Sequence, residues 1–258
     1  MLTVISPAKK LDLRPYEGAL TEPAFASEAM RLVAAARALS VAELQGLMDL
    51  SEPLARLNRD RFRAYRRKPV AVFPAIHCFA GDTYQGLDAG TLGADALAWA
   101  GGHLRILSGL YGLLRPMDAI QPYRLEMGSR LATARGSDLY AFWGDKIAKA
   151  LNRAAAEAGT GVLVNCASVE YFTAAQRNAL TLQVITPVFL DEKSGEAKIV
   201  SFFAKRARGA MARFICDHHL TDPADLRGFD AGGYRHEAAL STPDRMVFIR
   251  RAEAEAAA

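Results

Sequence analysis

The chain has 258 residues, of which 51% are hydrophobic and 23% charged, and its formal net charge at pH 7 is +4. These values are ordinary for a soluble globular protein that buries a sizeable core. The mild positive charge permits DNA as a partner without demanding it, because nucleic-acid binding depends on where the basic residues gather. No apolar run approaches the roughly 18 residues of a membrane span, and the N-terminus lacks a signal pattern, so we expect a cytoplasmic protein with no membrane partner.

The three cysteines, Cys78, Cys166 and Cys216, are widely spaced and each lies in an apolar or strand-like context. This arrangement does not favour a disulfide framework, and no group has metal-ligand spacing, so we expect no metal and no cofactor. Buried free thiols are the favoured interpretation. The alternative is a peroxide-sensing cysteine, which requires an exposed thiol of low pKa.

The first third of the chain alternates predicted strands and helices. A short buried strand at residues 2–6 is stopped by Pro7, and Lys9 lies just beyond its end. Helices are predicted within residues 26–66, with a capping box that starts at Ser40. An apolar strand at residues 70–79 should lead to Asp82, a plausible acid, base or amide acceptor beside a glycine.

A basic run with interleaved aromatic residues ends the last of these helices, at residues 59–68. Such a run can follow a nucleic-acid backbone. A solvated face is the favoured interpretation, because most charge runs are solvent-exposed and basic residues also stabilise a helix C-terminus.

The most specific local chemistry lies in residues 92–128. A helical apolar rhythm at 92–107 leads into a tight turn at 108–112, with Gly109 and Gly112 three apart. Exposed turn amides beside guanidinium groups suit a phosphate oxygen, so we expect a helix-hairpin-helix-like element near 92–128. A packed helix–helix corner is the alternative, since the usual hairpin glycines are two apart. Three arginines lie around the turn: Arg105, Arg115 and Arg124.

The second half contains further strands and one amphipathic helix. We predict a helix at 139–158, a strand at 161–166 with Ser168 as a following N-cap, and a hairpin of strands 182–190 and 198–203. A last strand is predicted at 245–250. The helix at 204–215 has one apolar face, and its other face carries four basic residues: Lys205, Arg206, Arg208 and Arg213.

Sequence blocks spread over the whole chain carry a resemblance to a known family. They are ISPAK at 5–9, GDTY at 81–84, LSGLYG at 107–112, RP at 115–116, QPYRLEMG at 121–128, FWGD at 142–145, N at 165 with AS at 167–168, EY at 170–171, PVFLDE at 187–192, SF at 201–202, AK at 204–205 and ARG at 207–209. In this order they are similar to the YaaA family of bacterial proteins, which is linked to peroxide stress resistance. The resemblance implies a cytoplasmic DNA-binding protein of mixed α and β structure, and it supplies no settled catalytic mechanism.

We therefore expect an α+β protein, a single compact domain over residues 1–258 with a mixed sheet flanked by helices and a frayed tail at 251–258. The favoured function is DNA binding in the oxidative stress response, through the phosphate backbone and without base-sequence specificity. Double-stranded DNA, with a preference for distorted, opened (bubble) or damaged duplex, is the expected partner. The candidate contacts are Lys9, Arg105, Ser108, Gly109, Tyr111, Gly112, Arg115, Arg124, Lys205, Arg206, Arg208 and Arg213. The oligomeric state stays open, with a monomer slightly favoured.

An enzyme is the alternative function. Several candidate catalytic residues follow predicted strands or the central turn, and strand ends often build one pocket. A lysine nucleophile with a carboxylate could act on DNA lesions, as in base excision, or on a nucleotide-like small molecule. The candidates are Lys9, Asp82, Asp118, Glu126 and Glu170. Whether the protein catalyses a reaction is left open by these residues.

Overall fold

A computed structural model of the protein describes residues 1–67, 69, 71–193 and 195–251. Its strands are β1 (Leu2–Ile5), β2 (Lys10–Leu11), β3 (Phe73–Pro74), β4 (Phe79–Ala80), β5 (Leu104–Ser108), β6 (Gly112–Leu114), β7 (Ala119–Ile120), β8 (Val162–Cys166), β9 (Gln183–Lys193), β10 (Glu196–Lys198), β11 (Arg235–His236) and β12 (Arg245–Arg251). Its α-helices are α1 (Ala26–Arg37), α2 (Val41–Met48), α3 (Glu52–Ala64), α4 (Ala75–Cys78), α5 (Asp82–Leu87), α6 (Ala94–His103), α7 (Leu139–Trp143), α8 (Lys146–Glu157), α9 (Val169–Thr173) and α10 (Ser201–Asp217). Short 3-10 helices occupy Ala89–Thr91, Pro223–Gly228, Ala231–Gly233 and Ala238–Leu240.

The central element is a mixed sheet of eight strands in the order β11-β12-β9-β8-β1-β5-β6, with β10 paired to β9. Strands β12, β9, β8, β1 and β5 run parallel, whereas β6, β10 and β11 pair antiparallel with their neighbours. Every residue of β1 is buried, as expected for an apolar strand in the middle of a parallel sheet. The mixed sheet and its helices confirm the α+β class, and most of the buried apolar residues form one core cluster.

Two helices cross at a pair of glycines, and this crossing sets the geometry of one side of the sheet. A Cβ atom on Gly86 of α5 would lie 1.9 Å from the carbonyl oxygen of Arg206, and one on Gly209 of α10 would lie 1.7 Å from that of Thr83. Only glycine allows two helix backbones to approach so closely. Helix α10 also packs against β1, β8 and β9, so the crossing ties α5 to the sheet.

The helix-hairpin-helix-like element predicted near 92–128 is wrong. Helix α6 ends at His103, and the chain continues directly as β5, which pairs with β1 on one side and with β6 on the other. Residues 108–112 therefore form the turn of a β-hairpin, with Ser108 opposite Gly112. The helical rhythm predicted at 92–107 is confirmed as far as α6 extends, whereas Leu104 and Leu107 belong to the buried strand β5.

Three other predicted elements are also corrected. In place of the strand expected at 70–79, the described residues form β3, the short helix α4 and the start of β4. The backbone N–H of Ala75, the first residue of α4, donates to the carbonyl oxygen of Asp118. The expected strand at 198–203 ends at Lys198, and α10 begins at Ser201. The helix expected at 139–158 is two helices, because Gly144 lies in the left-handed region with φ of 47°.

Most other predicted elements are confirmed. Three helices occupy residues 26–64, and Ser40 and Glu43 form the expected capping box. Strands β8, β9 and β12 also lie where the sequence predicts them, and β9 and β10 form the expected hairpin. Ser168 stands at the N-cap position of α9, but its side chain does not cap the helix.

Some predictions fall on residues outside the described part of the chain. They concern Lys68 of the basic run, Val70 of the expected strand, Ser194 of the hairpin turn and residues 252–258 of the tail. In the part that the structure describes, no helix combines the length and the apolar character needed to cross a bilayer.

We predict that Gly209→Ala lowers the free energy of unfolding by about 2 kcal/mol, because the new methyl group would overlap the Thr83 carbonyl oxygen. Urea-induced unfolding followed by circular dichroism measures this change. Gly46→Ala in α2 is the matched control: a Cβ there meets nothing within 4 Å, and alanine should stabilise the helix by about 0.5–1 kcal/mol. Equal unfolding midpoints for the two variants would contradict the role of the crossing.

Candidate functional site

A cleft of about 450 Å³ opens at the carboxyl ends of β1 and β8. These two strands are neighbours at the middle of the sheet. Within this sheet the chain continues from β1 to β5 on one side, and from β8 to β9 on the other side, so the direction of the strand order reverses between them. Ligands of open parallel sheets bind at such a switch point, outside the carboxyl ends of the strands. The cleft is lined by residues 6–10, 80–83, 123–126, Cys166, Ser168, Glu170, Tyr171, Lys205 and Arg208.

The two loops that follow β1 and β8 are joined by serine side chains. Ser6 Oγ accepts a hydrogen bond from the backbone N–H of Ser168 at 2.8 Å, and the two hydroxyl oxygens are 3.3 Å apart. The hydroxyl of Tyr84 donates to the carbonyl oxygen of Ser6 at 3.2 Å. These bonds fix both loops against α5, so the floor of the cleft is a hydrogen-bonded unit.

The segment 121–128 forms one wall, and a carboxylate and the glycine turn hold it in place. Glu170 Oε1 accepts the backbone N–H of Gly128 at 2.9 Å. A Cβ on Gly109 would lie 2.3 Å from the carbonyl oxygen of Leu125, so this glycine allows the turn to pack beneath the wall. Ser108 Oγ and the Tyr123 hydroxyl are 2.6 Å apart in the buried interface. The 108–112 turn thus supports the cleft from below.

The cleft is rich in charge. Five basic side chains and three carboxylates line it, so basic residues outnumber acidic ones by two: Lys9, Lys10, Arg124, Lys205 and Arg208 against Asp82, Glu126 and Glu170. Glu126 Oε1 lies 2.5 Å from Lys9 Nζ and 3.5 Å from a terminal nitrogen of Arg124. Glu126 is therefore neutralised within the wall.

Two cations of α10 that line the cleft have no acidic partner in the described part of the chain. Lys205 is exposed and Arg208 is half-buried, three residues apart, and neither makes an ion pair or a side-chain hydrogen bond with another described residue. Burial lowers the pKa of the Arg208 guanidinium, whereas the nearby Cys166 thiol opposes that change. An arginine still keeps its charge in proteins. A half-buried, unpaired guanidinium beside a lysine is a site suited to an anion.

Asp82 is the acidic residue of the cleft that, like Lys205 and Arg208, has no partner among the described residues. Its carboxylate lines the cleft at the start of α5, is half-buried, and makes no ion pair or side-chain hydrogen bond with another described residue. The glycine crossing holds α5 against α10 and so keeps Asp82 on the side of Lys205 and Arg208. A free carboxylate at such a position can accept a hydrogen bond from an amide or a hydroxyl of a ligand, or act as an acid or base.

Seven predicted site residues meet in the cleft: Lys9, Asp82, Arg124, Glu126, Glu170, Lys205 and Arg208. Lys9 and Glu170 lie there because the parallel strands β1 and β8 carry their carboxyl ends to one edge of the sheet. The other five residues reach the cleft from segments that follow strands of the small two-stranded sheets and from α10. Sequence reasoning missed Ser6 and Lys10, although both adjoin residues already chosen at the end of β1. It also missed Tyr171. The only indication of this residue in the sequence is the family-like EY block that it forms with Glu170.

The predicted contacts around the hairpin turn are corrected by their burial. Ser108, Gly109, Tyr111 and Gly112 are all buried, and they lie on no surface that DNA could reach. Gly112 has φ of 68°, and a Cβ there would lie 2.7 Å from the Trp143 ring, so its role is the turn and its packing. We therefore do not retain these four residues as phosphate contacts.

Three predicted arginines form hydrogen bonds or ion pairs outside the cleft. Arg105 is buried and donates hydrogen bonds to the carbonyl oxygens of Gly101 and Leu104. Arg115 pairs with the buried Asp118 at 3.1 Å, and Arg213 pairs with Asp217 at 3.0 Å. None of them lines the cleft, whereas Arg206 is exposed on α10 outside the lining.

Asp118 is separated from the other catalytic candidates. It accepts hydrogen bonds from the Thr21 hydroxyl at 2.6 Å and from the backbone N–H of Arg115 at 2.8 Å, and it is almost fully buried. These bonds join the N-terminal segment to the end of β6. Asp118 therefore stabilises a loop junction and is not retained as a candidate catalytic residue.

The three cysteines are buried and free. Burial raises the pKa of each thiol to about 12, including that of Cys166, whose neighbour Arg208 only partly opposes the shift. A protonated, buried thiol reacts poorly with peroxide, so the structure favours structural cysteines over a sensor. In residues 1–67, 69, 71–193 and 195–251, no group of three or more His, Cys, Asp or Glu side chains is arranged to hold a metal ion.

We predict that Ellman's reagent modifies none of the three thiols rapidly in the folded protein at pH 8. A pKa of about 12 lies above this pH, so the protonated form predominates and on the order of one thiol in ten thousand is ionised. The unfolded protein in urea, where thiols regain their ordinary pKa, is the control and should react at all three positions. A fast thiol in the folded protein would reopen the sensor hypothesis.

Comparison with known proteins agrees with the family resemblance of the sequence blocks. The family model described as "Peroxide stress protein YaaA" matches residues 1–240. A UPF0246 protein of Ruegeria pomeroyi is 60% identical over 252 residues, which cover 97% of this chain and 98% of the relative. A UPF0246 protein of Cereibacter sphaeroides strain KD131 is 61% identical over 255 residues, covering 97% of this chain and 99% of the relative, and one of Jannaschia sp. is 55% identical over the full length of both. The chain therefore belongs to the peroxide stress protein YaaA family.

Proposed function

We propose that the protein acts in the peroxide stress response by binding the phosphate backbone of DNA at the cleft between β1 and β8. Family membership supports the stress role. The observation that carries the DNA assignment is the pair Lys205 and Arg208, two cations without an acidic partner among the described residues, both lining one cleft. We retain the expectation of a cytoplasmic monomer as part of this proposal.

The chemistry of the pair fits a phosphate oxygen. A guanidinium presents a planar fork of N–H donors, and an ammonium adds a compact charge, so together they can bind one phosphate from two sides. Arg208 is half-buried, so folding has already removed part of the water around its guanidinium. Binding a phosphate therefore requires less further desolvation of this group. Such contacts involve the backbone alone and give affinity without base-sequence specificity.

The size of the cleft limits the form of DNA that it can admit. About 450 Å³ is the size of a small-molecule pocket, which is enough for one nucleotide and far too small for a duplex. A duplex whose strands are opened or distorted exposes nucleotides that can enter at little cost. This argument supports a preference for bubble or damaged DNA over intact duplex.

A second candidate function is chemistry on a DNA lesion or on a nucleotide-like small molecule. The observation that favours it is Asp82, a carboxylate that lines the cleft without a partner in the described chain. Lys9 is a weaker candidate for the nucleophile, because its side-chain nitrogen is already engaged by Glu126 at 2.5 Å. Under this reading, Asp82→Asn would abolish turnover and leave DNA affinity unchanged.

We predict that Arg208→Gln and Lys205→Ala each weaken DNA binding about tenfold, because each removes a charge-assisted hydrogen bond to phosphate. Fluorescence polarisation with labelled duplex, single-stranded and bubble DNA over a salt series measures the affinity. Each variant should also reduce the salt slope by about one unit and weaken binding to different sequences equally. Bubble DNA should bind most tightly to the unaltered protein.

Lys149→Ala in α8 is the matched control, because it removes one exposed positive charge from a helix that does not line the cleft. Its affinity should stay within about twofold of that of the unaltered protein, since distant surface charges are screened. Failure of the unaltered protein to bind any of the three DNAs at low salt would overturn the proposed function. Equal losses in all three variants would show that net charge, and not the cleft, governs binding.

A further inference from the structure

Two exposed apolar side chains flank the cleft on different elements. Val169 is 82% exposed and lies between the lining residues Ser168 and Glu170, while Phe202 is 54% exposed at the start of α10. A single exposed apolar residue needs no explanation, but an exposed phenylalanine at the rim of a charged cleft indicates a contact surface. Phe202 is the larger of the two and the better placed.

The helical geometry of α10 places Phe202 between cations. Successive residues turn by about 100° around a helix, so Phe202 lies about 60° from Lys205 on one side and about 40° from Arg206 on the other. It is one turn closer to the helix N-terminus than either. Arg208, Lys205 and Phe202 thus follow one another from the inside of the cleft to its rim.

The ring of Phe202 rests on a rigid support. Its centroid lies 3.9 Å from that of the Phe203 ring, with an angle of 38° between the ring planes. The guanidinium of Arg250 lies 3.8 Å from the centroid of the Phe203 ring and pairs with Asp191 at 2.5 Å. Since Asp191 and Arg250 belong to the paired strands β9 and β12, the support is part of the sheet.

We propose that Phe202 is a wedge that inserts between neighbouring base pairs of DNA beside the nucleotide that enters the cleft. The inference rests on the proposed function and adds the residue that opens the duplex. An aromatic ring can replace the stacking partner that an extruded nucleotide leaves behind, and cations on both sides of the ring can hold the adjacent phosphates. Charge complementarity therefore selects DNA as the occupant of this apolar rim.

The experiment uses the full-length protein and a duplex that contains one fluorescent base analogue, whose emission rises when the base unstacks. At saturating protein the emission should rise, and Phe202→Ala should lose most of that rise. Its affinity for the intact duplex should fall about tenfold, since a base–aromatic stack is worth that order of binding. Phe202→Leu, which keeps an apolar wedge, should retain most of the rise.

Leu57→Ala is the control, because it removes an exposed apolar side chain from α3, which does not line the cleft, and it should change neither signal. Binding without an emission rise, or an unchanged rise in Phe202→Ala, would overturn the wedge and leave the DNA assignment standing. Absence of any DNA binding by the unaltered protein would overturn both.

Sedimentation of the free protein adds one more test: a dimer that Phe202→Ala dissociates would assign the rim to self-association and overturn the wedge.

Discussion

The crossing of α5 and α10 is the constraint on which the arrangement of the cleft depends. Gly86 and Gly209 let the two backbones meet at a distance that any side chain would prevent. Helix α10 carries the unpaired cations, α5 carries the unpaired carboxylate, and neither helix could present these groups to one cleft if the crossing were wider. Two residues without side chains therefore determine where the functional side chains stand.

The cleft combines two kinds of charge with different roles. Glu126 and Glu170 are used within the protein, the first against Lys9 and Arg124 and the second against a backbone amide of Gly128. Lys205, Arg208 and Asp82 have no such engagement in the described chain, so they remain available to a ligand. This division explains how a cleft lined by both signs of charge can still favour an anion.

Sequence patterns predicted several residues of the cleft correctly, but they predicted the wrong structure for residues 92–128. Lys9 and Glu170 are predicted correctly because each follows a strand of the parallel sheet, which gathers such ends at one edge. Asp82 and Glu126 follow β4 and β7, which belong to small antiparallel sheets, so that rule does not explain their place in the cleft. Local patterns predict an exposed hairpin for the glycines at 109 and 112, but their burial depends on tertiary contacts with Trp143 and Leu125, which such patterns do not reveal. The pairings of Arg115 with Asp118 and of Arg213 with Asp217 span only three and four residues, so local spacing already offers both partners.

The placement of sulfur has a consequence for a protein that works under peroxide. All three cysteines are buried, and so are five of the seven methionines, with Met30 and Met117 only partly accessible. Methionine oxidation turns an apolar side chain into a polar one and disrupts cores, and it needs access to the sulfur. The fold thus keeps most of its sulfur atoms away from the solvent, which protects the core from the oxidant that the stress response meets.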